Sequence, residues 1–335
     1  MRKISFVLLL ALIALSSFSV AFADDFDLSN SATSACVMDK DSGRVLYAKN
    51  EDYKLPMAST TKIITAIVAI ENANLDNVIT ITKDCVGIEG SSVYLKEGER
   101  WKIRDLLYGL MLRSGNDCAV TLAKAVSGNI EQFVSLMNSF VKDLGCTNTN
   151  LTNPHGLHND NHYTTAYDLA KICCYALQNN IFSQIVSSKK YSTKIDGVTK
   201  VFVNKNKLLY SWENCDGIKT GYTKKAGRCF VGSATENDRQ FVCVVLNDGP
   251  MFEDCRKLIT SCLAKYKDTF VIPTNKVFVD YVDSKRKVYK VSKGFYLPIC
   301  IDDRIQVETD FDNRLVKVFV NDELFHTISI SLINL

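Results

Sequence analysis

The sequence predicts an α+β fold, in which one antiparallel sheet flanked by helices, with a helical subdomain, is followed by a small all-β domain. Three observations carry this. Strand-pair patterns occur before residue 50 and again at 227–247, at the two ends of the larger part of the chain. Between them, from Ser59 to Leu177, apolar residues recur at helical spacing. Beyond Pro273 the chain returns to short alternating strings.

The chain opens with Arg2 and Lys3, an apolar block from Ile4 to Leu15, and Ala21-Phe22-Ala23 ahead of Asp24 and Asp25. That layout is a signal peptide over residues 1–23, cleaved after Ala23. An uncleaved anchor is the alternative, since Ile4 to Ala23 nearly reaches spanning length. Either reading places the body of the protein outside the cytoplasmic membrane. The remaining length suits a large domain over 28–268 and a small β domain over 272–335.

SACVMDKDSGRVLYAKN reads as a hairpin turning at Asp41-Ser42-Gly43. Ser59 to Ala73 is apolar on nearly every face, as a helix in the centre of a domain would be. The segments 103–112, 117–126, 130–144 and 166–177 are amphipathic helix candidates. GRCFVGSATENDRQFVCVVLN alternates and turns at Glu236-Asn237-Asp238, and an amphipathic helix follows over 252–266. The tail then offers KVFVDYV, KVYKVS, FYLPICI, RIQVETD, LVKVFVN and FHTISISL as strands.

Composition excludes some functions. With 40 basic and 37 acidic residues, a net charge of +3 gives no field that argues for nucleic acid. Twelve cysteines are too sparse for a disulfide-built scaffold. Several stand in apolar strings, as in AKICCYAL and FVCVVL, so mostly buried free thiols are expected, with some pairing left open. No C-x-x-C occurs and no zinc spacing is present. His155, His158 and His162 crowd one segment, but loosely and without a carboxylate pattern, which favours a structural loop over a metal site. Lys189-Lys190 and Lys285-Arg286-Lys287 read as solvated faces, with attraction to an anionic wall polymer a weaker reading.

PMASTTKII places Ser59 and Lys62 three apart, hence on one helical face. Taken alone, that is a helix cap with a snorkelling lysine. Two further strings change the reading: Ser114-Gly115-Asn116 between two helical patterns, and Lys219-Thr220-Gly221 just before the alternating strand at Arg228. S-x-x-K, S-G-N and K-T-G in this order closely resemble the serine D-alanyl-D-alanine carboxypeptidases, the low-molecular-mass penicillin-binding proteins. The resemblance extends to NPHGLHNDNHYTTAYDLA, to GYTKKAGRCFVGSA and to the β-rich tail. It implies the β-lactamase/transpeptidase-like fold, a serine peptidase without cofactor, stem peptides of peptidoglycan ending in D-Ala-D-Ala as substrate, and acylation by β-lactams.

The residue chemistry agrees. A serine hydroxyl needs a neighbouring base, and a buried lysine beside a second cation can be neutral enough to serve. Ser59 is then the nucleophile, Lys62 the base and Lys219 the second cation. Ser114 would relay a proton to the leaving amine, and the Asn116 amide would hold Lys62 and the substrate backbone. Lys219 and Thr220 would meet the substrate carboxylate, while Gly221 lets a peptide approach the strand edge. The Ser59 amide would stabilise the oxyanion, and the resemblance makes the Tyr222 amide its second donor.

Three other readings remain. A class A β-lactamase needs a glutamate after the middle motif, yet none occurs between Glu131 and Glu213, and Asp160 is a poor substitute. A transpeptidase or endopeptidase shares the acyl-enzyme and differs in the acceptor. A catalytically silent wall-binding or antibiotic-sensing protein would be expected to lack Ser59, Lys62 or Lys219, and all three are present. Membrane association is left open, because the chain ends on ISISLINL where many relatives carry an amphipathic helix.

Overall fold

The computed structural model describes residues 27–282 and 285–333, so the expected signal peptide lies outside the described residues. The first hairpin forms as expected, β1 (Ser34–Asp39) with β2 (Val45–Lys49). A 3-10 turn over Ala58–Thr61 then leads into α1 (Lys62–Asn72). The continuous helix expected from Ser59 is therefore tightened in its first turn. Every residue of α1 from Lys62 to Ile70 is buried, because its apolar surface has no polar side to offer.

Around α1 pack α2 (Ile103–Arg113), α3 (Asn116–Ser127), α4 (Ile130–Asp143), α5 (Ala166–Ala176) and α6 (Asn180–Ser187). Two small antiparallel pairs adjoin them: β3 (Val78–Thr80) with β4 (Arg100–Lys102), and β5 (Lys190–Ile195) with β6 (Val198–Val203). The β5–β6 hairpin and α6 have no counterpart in the sequence reading. After the short α7 (Leu208–Ser211) come β7 (Cys215–Thr223), β8 (Gly227–Glu236), β9 (Arg239–Leu246) and α8 (Met251–Lys265).

The main sheet runs β2-β1-β9-β8-β7 and is antiparallel throughout. Strands from both ends of the domain thus meet in its middle. β9 shows why both faces are covered: Val242, Val244 and Leu246 join the core shared with α1–α6, while Phe241, Cys243 and Val245 join the core under α8. All twelve cysteines are free, and eleven are buried.

The strand-rich tail begins at β10 (Lys267–Ile272), directly after α8, and occupies the interval between the two expected domains. β10 pairs with β13 (Phe295–Ile299). β11 (Val277–Val282), β12 (Lys285–Lys290) and β17 (Ser331–Ile333) form one sheet; β14 (Ile305–Asp310), β15 (Leu315–Val320) and β16 (Glu323–Ser329) form another. A small core of Ile272, Tyr289, Val291, Val316, Val318 and Ile330 holds them together. Arg44, next to β2, ties the tail to the main sheet by donating to the Pro298 carbonyl and to Asp303 Oδ1, the latter at 2.6 Å.

Candidate active site

The turn before α1 is built by its own hydroxyls. Thr60 Oγ1 donates to the Met57 carbonyl at 2.6 Å, and Thr61 Oγ1 to the Ala58 carbonyl at 2.8 Å. Ala58 is left-handed, at φ 48°, which costs energy for a residue with a Cβ and is held by what surrounds it. One neighbour is Gly156, at φ 87°, where a Cβ would stand 1.9 Å from the Ala58 oxygen. Only glycine lets the 153–157 loop lie against this turn. Ser59 sits within the turn rather than capping α1 with its side chain.

Lys62 is fully buried, one turn behind Ser59. Its Nζ lies 3.1 Å from Ser59 Oγ, 2.7 Å from Asn116 Oδ1 and 2.5 Å from the His155 carbonyl oxygen. Two of these partners only accept. A neutral amine therefore gives its two hydrogens to Asn116 and His155 and turns its lone pair toward the Ser59 hydroxyl. Burial, and then the charge of Lys219, hold Lys62 well below the usual lysine range.

The S-G-N loop joins α2 to α3. Ser114, at φ 64°, ends α2, and Asn116 begins α3. A Cβ on Gly115 would meet Asp117 Oδ1 at 2.7 Å, the carboxylate that accepts from the Val93 and Leu95 amides. The glycine is thus required by packing. Asn116 Nδ2 donates to the Glu89 carbonyl at 2.5 Å while its Oδ1 accepts from Lys62. Ser114 is 4% exposed and its Oγ has no partner among the described residues. It makes no hydrogen bond to Lys62, whose partners among the described residues are Ser59, Asn116 and His155.

K-T-G lies just before the strand at Arg228, as the sequence suggested, but it is itself part of a strand, β7, at the edge of the sheet. The strand at Arg228 is β8, and it pairs Arg228 with Tyr222. Gly221 is where β7 meets the turn that carries Ser59: a Cβ there would stand 3.1 Å from both the Met57 oxygen and the Ser59 amide nitrogen. Lys219 is 2% exposed, and its Nζ donates to the Thr220 carbonyl at 2.8 Å. Burial, then the charge of Lys205, push it down to about 7.

A cavity of about 570 Å³ opens over these elements, lined by Ser59, Ser114, Thr220, Gly221 and Tyr222 among others. Lys62, Asn116 and Lys219 stand behind that lining, each at most 3% exposed. Lys205, Lys207 and Arg228 also line it, together with Met251 to Glu253 at the start of α8. Those cations escaped the sequence reading. Recognising β7 would have found Arg228 through the antiparallel register.

Of the histidines, His155 and His162 are both pushed down to about 4, chiefly by burial. His158 pairs with Asp160 at 3.2 Å on the surface. Among the described residues no cluster of histidine, cysteine and carboxylate side chains suits a metal.

Residues 21–249 match the family profile of the S11 peptidases, D-alanyl-D-alanine carboxypeptidase. The chain belongs to this family. It is 31% identical over 256 residues to the D-alanyl-D-alanine carboxypeptidase DacF of Bacillus subtilis (strain 168), a match covering 73% of this chain and 66% of DacF. It is 35% identical over 258 residues to DacC of Escherichia coli (strain K12), covering 72% of this chain and 64% of DacC. The chain therefore spans just under two-thirds of these two carboxypeptidases. The DD-transpeptidase of Streptomyces K15 superposes with a TM-score of 0.67 at 32% identity, over 70% of this chain and 98% of that one. The carboxypeptidase DacD of Francisella tularensis shares the fold over 91% of this chain and 94% of its own, with a TM-score of 0.75 at 23% identity.

Proposed function

We propose that this S11 peptidase is an extracytoplasmic D-alanyl-D-alanine carboxypeptidase that removes the terminal D-Ala from peptidoglycan stem peptides and is acylated by β-lactams. The observation that carries the reading is the Lys62 amine, which is dehydrated, fixed by two carbonyls and faces Ser59 Oγ. Lys62 takes the Ser59 proton as Oγ attacks the carbonyl carbon of the penultimate D-Ala. The Ser59 and Tyr222 amides receive the oxyanion. The proton passes through Ser114 to the leaving amine, D-Ala departs, and water opens the ester. Ser114 Oγ, which has no partner among the described residues, has its bonding capacity free for that relay.

Thr220 and the field of Lys219 would meet the substrate carboxylate, with Arg228 the guanidinium beside them in the cavity lining. Asn116 acts on Lys62, and its second N–H would reach the substrate backbone. The division into a peptidase domain over 28–268 and a β domain over 272–335 belongs to the same proposal, with β10 as the joining strand. Likeness to the K15 DD-transpeptidase favours one second reading, in which an amine replaces water as acceptor.

The test is to incubate the protein with a peptide ending in D-Ala-D-Ala and with penicillin, and to locate adducts by mass spectrometry. D-Ala release and a long-lived penicilloyl group on Ser59 are expected. Undiminished release by Ser59→Ala would overturn the mechanism. A dominant amine-transfer product would select the transpeptidase, and rapid penicillin turnover a β-lactamase.

A further inference from the structure

His162 has no role in the chemistry above, yet both of its ring nitrogens are committed. Nδ1 lies 3.0 Å from the Thr152 backbone nitrogen, and Nε2 lies 2.8 Å from Thr61 Oγ1. A backbone N–H can only donate, so Nδ1 keeps its lone pair and the ring proton sits on Nε2. Nε2–H then donates to Thr61 Oγ1, whose own hydrogen goes on to the Ala58 carbonyl. Each hydrogen in this chain has one possible direction. With no lone pair left over, the ring cannot hold a metal.

The chain ends on the left-handed residue immediately before Ser59, in a turn that propensity does not stabilise. Its other end is fixed by backbone pairing: His162 N–H bonds to the Asn159 carbonyl, Tyr163 pairs with Asn150, and Thr164 pairs with Leu55. An imidazole on a fixed backbone thus reaches across to the nucleophile turn, and it is only 3% exposed.

We propose that His162 is a positioning residue for acylation, holding Ser59 Oγ in register with Lys62 through the chain from Nε2–H to Thr61 and the Ala58 carbonyl. The proposal rests on Ser59 being the nucleophile. The groups it acts through touch neither the substrate nor the reacting atoms, so its signature is a slower covalent step with unaltered initial binding.

The experiment measures acylation by a chromogenic β-lactam in a stopped-flow instrument, separating non-covalent affinity from the acylation rate constant, with thermal unfolding recorded alongside. His162→Leu and Thr61→Val should each lower the rate constant about tenfold, the worth of one buried hydrogen bond, with affinity within about twofold. The double variant should be no slower than either single one, because one chain is being cut twice. His162→Gln, whose amide N–H takes the place of Nε2–H, and Thr61→Ser should recover most of the rate. Losses that multiply, or a Gln variant as slow as Leu, overturn the proposal. If His162→Leu does not fold, the Thr61 pair decides: Val slow and Ser restored supports it, Val as fast as the parent overturns it. A parent protein that takes no penicilloyl group on Ser59 instead overturns the nucleophile assignment beneath it.

Discussion

The helix side and the strand side of the cleft bury their lysines differently. On the helix side, Lys62 has a partner for every hydrogen an ammonium could carry, and the three partners come from three separate segments. On the strand side, Lys219 is as deeply buried, but among the described residues it bonds only to the carbonyl of the next residue. Both are pushed below the usual lysine range, chiefly by burial. The difference teaches a division of labour. Under the proposed mechanism a base must be aimed, which suits the three-way hold on Lys62; a field source need only be close, which suits Lys219, able to act on Lys62 and on an anionic ligand with a single bond of its own.

The largest effect should come from removing what is aimed. Lys62→Gln keeps a hydrogen-bonding side chain but removes the lone pair, and should slow acylation by about a thousandfold with Ser59 still present. A variant within tenfold of the parent in a penicillin-labelling time course would mean that another group takes the proton. Next is Lys219→Gln, which should cost about thirtyfold in kcat/KM on a peptide ending in D-Ala-D-Ala, because the buried charge that attracts the carboxylate is lost. It also carries a pH sign. Lys219 lowers the affinity of Lys62 for a proton, so its loss lets Lys62 hold that proton to higher pH. The acid limb of the acylation profile should therefore move up. An unmoved limb would show that the strand side does not tune the helix side.

The two sides touch at Gly221, and Gly221→Ala tests that contact. The new methyl would meet the Met57 oxygen and the Ser59 amide at 3.1 Å, tighter than relaxed contacts allow. β7 and the turn must part by a few tenths of an ångström, and a loss of about tenfold in acylation is expected. Equal loss with a substrate that lacks the carboxylate would place the fault at the turn; loss confined to carboxylate substrates would place it at Thr220.

How much of this was legible depends on where each signal lay. The central helix, the two sheet hairpins and α8 could be read because a buried helix and alternating strands each impose a local period. The β5–β6 hairpin could not, because it is mostly exposed and its KYSTKI and VTKVFV strings bury little on either face. β7 was missed for the opposite reason: CDGIKTGYT is largely buried on both faces and does not alternate, and its pairing with β8 is what makes it a strand. Motif spacing singled out Ser59, Lys62, Ser114, Asn116 and Lys219, which the fold brings to one cleft. It could not reveal the His155 carbonyl under Lys62 or the His162 chain to Thr61, since a backbone oxygen has no signature and the loop's contacts are long-range.

The smallest effect belongs to the rim, outside both sides. Asp160 is the one acid in the loop where a deacylating carboxylate would be sought, but its side chain is 93% exposed and its partner is His158, at 3.2 Å. It is not among the groups that shift either buried lysine. Surface pairs of this kind contribute about 0.5 kcal/mol or less. Asp160→Asn should therefore leave the melting temperature, the acid limb of acylation and the lifetime of the penicilloyl enzyme close to those of the parent. A tenfold longer lifetime would mean that the loop folds inward on the acyl-enzyme and that Asp160 activates the water there, which would make the rim a third working side of the cleft.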